Sequence, residues 1–198
     1  MRIGIIGTGS MGTGFARALA AKHEVWMGSR DADRGKEAAV RTGAVGGGSY
    51  EEVARDADVL LFTVPWMAAE SVATQLGDVS GKVVLDVTNP YTAEGLQPLE
   101  GTSTGEEVQR WLPGAKVVKG FNHVFSSNLG RPEVDGTPVS VLIAGDDEDA
   151  KRTVSQLAAD MGFDPVDVGG LETTRHLERL LGLVGELGDD RLLKVLHR

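Results

Sequence analysis

Short apolar runs alternate along the chain with stretches whose apolar positions recur every three or four residues. Gly, Pro or a capping residue marks each change of period. Arg2 to Ile6 predicts a strand ending in glycine. Ser10 to Ala20 repeats apolar groups at Met11, Phe15 and Ala18/Leu19, which is helical spacing. Glu24 to Met27 predicts a second strand. Asp31 is placed to cap a helix that runs to about Arg41 and stops at Gly43, with a short third strand expected near Ala44-Val45. Ser49-Tyr-Glu-Glu52 is a capping box that opens a short helix. Val59 to Val64 predicts a fourth strand, halted by Pro65. Met67, Val72 and Leu76 mark the next helix, and Lys82 to Val87 a fifth strand ended by Thr88-Asn89-Pro90.

The alternation continues more loosely. Ser103-x-x-Glu106 is a second capping box, and Pro113-Gly114 closes its helix. Ala115 to Lys119 and Val139 to Ala144 predict a sixth and a seventh strand. Asp146 is expected to cap a helix with Val154, Leu157, Ala158 and Met161 on one face, ended by Gly162. A short strand follows at about Val166. Leu171, Leu177, Leu180, Leu181 and Val184, then Leu192, Leu193 and Leu196, predict a helical tail over 171–198. No Pro/Ser-rich linker divides the chain. Strands with helices between them in this order imply the α/β class: a doubly wound, mainly parallel sheet forming one domain over 1–198.

Composition narrows the partners. The chain has 198 residues, 41% hydrophobic, enough for one core and cramped for two full domains. Its formal net charge of −9 argues against nucleic acid and against an anionic membrane surface. The longest apolar runs, such as Val59-Leu60-Leu61-Phe62, are too short to span a bilayer. Met1 leads directly into a strand with no signal peptide, so a cytoplasmic location is expected. There is no cysteine, hence no disulfide framework and no thiolate metal site. An anionic ligand must be held by local devices, such as helix N-termini and a few arginines.

One such device is visible. Gly7-Thr8-Gly9-Ser10-Met11-Gly12 matches G-x-G-x-x-G between a strand and an amphipathic helix. The glycines serve a tight turn, close approach to a pyrophosphate and close helix–strand packing, while the helix supplies free N–H donors. This context predicts a Rossmann-type dinucleotide site. An NAD site places an acid about 20 residues further on. Here the position holds Ser29, followed by Arg30, and a hydroxyl with a guanidinium suits a 2′-phosphate that an acid would repel. Arg34, one turn into the next helix, adds a second cation. Asp31 and Asp33 are near enough to pair with these arginines instead. The expected cofactor is NADP(H).

The I-x-G-x-G-x-x-G motif followed by Val25-Trp-Met-Gly-Ser-Arg30 resembles the deazaflavin (coenzyme F-420)-dependent NADP oxidoreductases. It is also similar to the cytosolic NADPH-binding domain of the STEAP metalloreductases. The likeness continues in Thr63-Val64-Pro65-Trp66, Asp86-Val87-Thr88-Asn89-Pro90, Val118-Lys119-Gly120-Phe121-Asn122, Ala144-Gly145-Asp146-Asp147 and Met161 to Asp167. The resemblance implies that Thr8 to Met11 wrap the pyrophosphate and that Ser29, Arg30 and Arg34 hold the 2′-phosphate. Thr63, Val64, Pro65, Thr88, Asn89 and Gly120 would border the cofactor, and Phe121, Asn122 and His123 would face a second ring. Phe121-Asn122-His123 is closer to the STEAP version than to the hydrophobic-His pair of archaeal members.

Hydride transfer between stacked rings needs orientation and exclusion of water rather than a catalytic triad, and none is evident. No metal-ligand spacing is present either. Lys116, Lys119 and Arg131 are the cations placed to meet a deazaflavin's anionic tail. His123 reads equally as a ligand to a ring carbonyl or phosphate and as a loop histidine bonded to backbone. Asn122 reads as a nicotinamide-amide partner or as a turn stabiliser, and Trp66 as a cofactor flank or as packing. His23 is expected at the surface, and His176 and His197 at the surface or an interface. The leucines at 171–184 and 191–196 either cover the sheet or form a homodimer interface. The expected activity is hydride transfer between NADP(H) and a small-molecule co-substrate, coenzyme F-420 or a flavin. The alternatives are a STEAP-like flavin or ferric reductase and a non-catalytic NADP(H) sensor.

Overall fold

The alternating pattern resolves into one eight-stranded sheet, seen in a computed structural model that describes residues 1–187. Its strands are β1 (Arg2–Ile6), β2 (Glu24–Ser29), β3 (Gly46–Ser49), β4 (Val59–Phe62), β5 (Val83–Asp86), β6 (Lys116–Lys119), β7 (Ser140–Gly145) and β8 (Asp164–Asp167). Their spatial order is β3-β2-β1-β4-β5-β6-β7-β8. β3 through β6 are parallel. β7 runs antiparallel to β6 through Ala144 and Gly145, and β8 runs parallel to β7. The order reverses between β1 and β4. At such a switch point the loops diverge to opposite faces and leave a crevice at the carboxyl ends of the strands.

Among the described residues there are seven helices: α1 (Ser10–Leu19), α2 (Ala32–Thr42), α3 (Tyr50–Asp56), α4 (Trp66–Ala73), α5 (Thr104–Trp111) and α6 (Glu148–Asp160), which cover the two faces, and α7 (Thr174–Leu187), which packs on α5. The parallel strands are apolar on both sides, and alternate residues go to different cores. Ile3, Ile5, Met27, Leu61 and Leu85 pack with α1, α2 and α6. Ile6, Leu60, Phe62, Val84 and Val117 pack with α3, α4 and α5. Leu177 and Leu181 of α7 are buried within the chain, Leu181 against Leu96 and Phe125. Leu192, Leu193, Leu196 and His197 lie outside the described residues. No described helix is long and apolar enough to cross a membrane.

Two expected boundaries shift. The third strand is Gly46–Ser49, not Ala44-Val45. Glycine has little intrinsic preference for a strand, but here it lets a helix lie on the sheet. A Cβ on Gly47 would fall 2.2 Å from the Gly35 carbonyl oxygen of α2, and one on Gly35 would fall 2.4 Å from that of Gly48. The cap of α6 is Asp147, which accepts from the Ala150 N–H at 2.9 Å. Asp146 instead accepts from the Leu171 N–H at 2.8 Å, tying the segment before α7 to the end of β7. Gly47→Val is expected to force α2 off β3 and to cost about 1–3 kcal/mol or more, as overpacking does, read from the urea midpoint at constant m.

Candidate functional site

The cradle is built by close contact between backbones. After β1 the chain turns at Gly7, whose φ of +121° favours glycine and where a Cβ would lie 2.8 Å from the Thr63 carbonyl oxygen. At Gly12, in the first turn of α1, a Cβ would lie 2.1 Å from the Gly7 carbonyl oxygen. Thr63 closes the other side, donating to the Ile6 carbonyl from both its N–H (2.9 Å) and its hydroxyl (3.0 Å). Gly9 differs: nothing lies within 4 Å of its Cβ position, so its missing side chain leaves room on the cavity side. Side chains of Asp31, Ser49, Ser103 and Asp147 cap α2, α3, α5 and α6, whereas α1 has no side-chain cap and no acid in its first turn. Its leading N–H groups and positive dipole end are left for an anion.

From this cradle a cavity of about 1020 Å³ extends both ways along the strand ends. On one side Ser29, Arg30 and Arg34 line it. Ser29 is buried and both arginines are exposed. The nearby carboxylates are engaged elsewhere: Asp31 accepts from the Asp33 N–H at 3.0 Å, and Asp33 pairs with Lys36 at 2.9 Å. Neither guanidinium has a partner among the described residues. The uncapped helix, the open space at Gly9 and these two cations fit a dinucleotide carrying an extra phosphate. Trp66 joins both of its readings, since it lines the cavity and stacks on Trp111 with centroids 5.2 Å apart.

On the other side the wall is formed by Val64, Pro65, Thr88, Asn89 and Asn122, with Phe125 and Leu181 beyond. Asn89 and Asn122 are bonded twice: Asn89 Nδ2 donates to the Asn122 carbonyl at 2.7 Å, and Asn122 Nδ2 donates to Asn89 Oδ1 at 3.1 Å. Phe121 reaches the wall but sends its ring into the core, edge-on to Phe15 and Phe163. Three residues named from the sequence lie off this wall. Gly12 is packed under the turn, and Gly120 faces Leu85 and Ile143. His123 is 2% exposed, with Nε2 3.3 Å from the Ser140 carbonyl. Burial holds its pKa below the ordinary histidine value, opposed by that carbonyl, so the ring stays neutral at pH 7.

Beneath the wall lies a buried ionic network that sequence reasoning missed. Lys119 was expected to meet an anionic tail, but it is fully buried. Its Nζ donates to Asp86 Oδ2 (2.8 Å), the Thr88 carbonyl (2.6 Å) and Thr104 Oγ1 (2.5 Å), and Glu178 Oε1 lies 3.4 Å away. Glu178 also accepts from the Thr104 N–H and hydroxyl, fixing α7 to the start of α5. A signal was present: Asp86 and Lys119 end adjacent strands and are register partners. Lys116, the second expected cation, pairs with Asp147 at 2.9 Å. Arg131 is not on the cavity wall. Among the described residues no three His, Cys, Asp or Glu gather to hold a metal. Lys119→Met, which strands two buried carboxylates, is expected to destabilise the fold by about 3–5 kcal/mol in urea titration.

Residues 2–90 match the family model described as NADP oxidoreductase coenzyme F420-dependent. The F420-dependent NADP reductase of Methanocaldococcus jannaschii is 32% identical over 93% of this chain and 91% of its own. A crystal structure from Arthrobacter sp. FB24, described provisionally as an F420-dependent NADP reductase, superposes with a TM-score of 0.86 at 31% identity. The match covers 96% of both chains. The metalloreductase STEAP3 of Rattus norvegicus is 33% identical over 90% of this chain, which spans only 36% of that longer protein. Cradle, strand order and near-full-length likeness agree that the chain belongs to the coenzyme F420-dependent NADP oxidoreductase family.

Proposed function

We propose that the chain binds NADP(H) across the carboxyl ends of β2, β1, β4 and β5 and transfers a hydride between it and a deazaflavin, coenzyme F420, in the same cavity. The observation that carries this reading is Arg30 and Arg34, unpaired among the described residues, beside Ser29 at one end of a cavity that continues to Phe125 and Leu181. The near-full-length likeness to the archaeal reductase supports the choice of deazaflavin. When bound, the two ring systems supply the hydride chemistry themselves.

The chain's share is positioning. The α1 amides hold the pyrophosphate, and Ser29 with the two arginines grips the 2′-phosphate. Val64 and Thr88 border the nicotinamide end, and the apolar Phe125 and Leu181 keep water from the space where a second ring stacks. No proton-transfer residue is needed there, in keeping with a neutral His123 buried behind the wall. The second reading, a flavin reductase of the STEAP kind, is favoured by Phe121-Asn122-His123 and by the rat relative's identity.

Arg30→Ala is expected to reduce the preference for NADP⁺ over NAD⁺ by about ten- to a hundredfold, the loss of one charge-assisted bond, measured as the ratio of two dissociation constants. NADPH oxidation assayed separately with F420, FMN and FAD is expected to be fastest with F420. Preference for FMN or FAD selects the second reading, and no turnover with any acceptor overturns the enzyme reading.

A further inference from the structure

Of the large hydrophobic side chains that stand exposed among the described residues, Tyr91 is the one that lines the cavity. It is 47% exposed, so a ligand in the cavity can reach it. Its hydroxyl has no partner among the described residues. A single exposed apolar side chain is ordinary on an open surface. One held inside a cleft is uncovered area that a bound ligand removes from water.

Backbone hydrogen bonds fix Tyr91 in place. It opens a two-stranded hairpin in which Tyr91–Thr92 pairs with Gly95–Leu96. Its N–H donates to the Asn89 carbonyl at 2.7 Å, and the Gln97 N–H donates to the Pro90 carbonyl at 2.8 Å. Thr92 closes the turn: its hydroxyl donates to Glu94 Oε2 at 2.8 Å and accepts from the Glu94 N–H at 3.2 Å. Tyr91 and Leu96 are register partners, and opposite residues of an antiparallel pair project from one face, about 4.5–5.5 Å apart at Cβ. Leu96 packs against Leu181, as Phe125 does. The hairpin face that carries Tyr91 is therefore turned to the apolar end of the cavity, where Phe125 and Leu181 lie.

That end is built without charge. The charged residues lining the cavity are Arg30, Asp31 and Arg34, all at the other end beside Ser29. A group bound beside Tyr91, Phe125 and Leu181 is recognised by apolar area and by the face or edge of an aromatic ring. Such ring contacts add to the area they bury. We propose that Tyr91 is a specificity residue for the co-substrate: its ring packs against the planar ring system that exchanges the hydride, and so selects an aromatic co-substrate with an uncharged face. This rests on the hydride-transfer reading above. It adds a contact that neither the cofactor cradle nor the buried network beneath the wall supplies.

The test titrates the full chain, saturated with NADP⁺, with F420, FMN and FAD, each in its oxidised form. With both partners oxidised no hydride moves, and binding alone is read. Tyr91→Ala is expected to weaken the ring that wild type binds best by about tenfold, the upper end of an aromatic contact, and to leave the NADP⁺ dissociation constant within about twofold. Tyr91→Phe keeps the ring and loses only the hydroxyl, and is expected to lie closer to wild type than to Tyr91→Ala. Unchanged ring binding in Tyr91→Ala overturns the proposal. A parallel loss of NADP⁺ binding also overturns it, because the hairpin then only supports the fold, and so does an equal loss in Tyr91→Phe. In each of these cases wild type still binds a ring, and the hydride-transfer reading stands. Absence of ring binding to wild type overturns both.

Discussion

The Gly7 carbonyl and the first turn of α1 are pressed together at a distance that leaves no room for a methyl group at position 12. That contact sets the angle at which α1 leaves the sheet, and so where its uncapped end points. Thr63 copies the constraint from the neighbouring strand by hydrogen-bonding twice to the last residue of β1. With β1, β4 and α1 locked in this way, the loops after β2 and β5 open on opposite flanks of one cleft. A single long ligand can then touch both. The site is thus a by-product of how tightly backbone packs at the switch point, and the side chains around it refine a shape already set.

The acid-rich composition stops being a paradox at this scale. A net charge of −9 is spread over a surface where screening confines each charge to its neighbourhood, within roughly 10 Å at 0.1 M salt. Around the cleft the charge pattern is local: amide dipoles, two exposed guanidiniums, and aspartates already committed to a cap and a lysine. By the same logic the deeply placed Lys119 contributes nothing to ligand attraction, because Asp86, Glu178, the Thr88 carbonyl and the Thr104 hydroxyl already surround it.

How far the sequence could be read depended on whether a residue's role was local. The parallel strands announced themselves as unbroken apolar runs, since both faces are covered, and the cradle was legible because its glycines answer to backbone geometry. The place of Ser29 and Arg30 on the cavity wall was legible for the same reason, as an offset along one βαβ unit. β3 was hidden because the helix above it, rather than its own propensity, selects three glycines in an extended strand. Two adjacent aspartates are equivalent as caps until the start of α6 is known. His123 read equally as a ligand contact and as a loop histidine bonded to backbone, and the approach of β7 decides for the second by turning it inward to Ser140. Lys119 was misread because its second carboxylate, Glu178, arrives on an element that local pattern cannot place.

The C-terminal helix gives the molecule a further property. Glu178 reaches back to Thr104, 74 positions earlier, and the Leu177 carbonyl holds Asn122 across 55. The cavity thus takes its walls from Gly7 at one extreme and Leu181 at the other. Such a cleft exists only when nearly the whole topology is assembled, so local fraying cannot preserve it in part. A molecule seated there stabilises the entire cooperative unit by mass action, and saturation with cofactor protects distant core amides from exchange as strongly as those beside it.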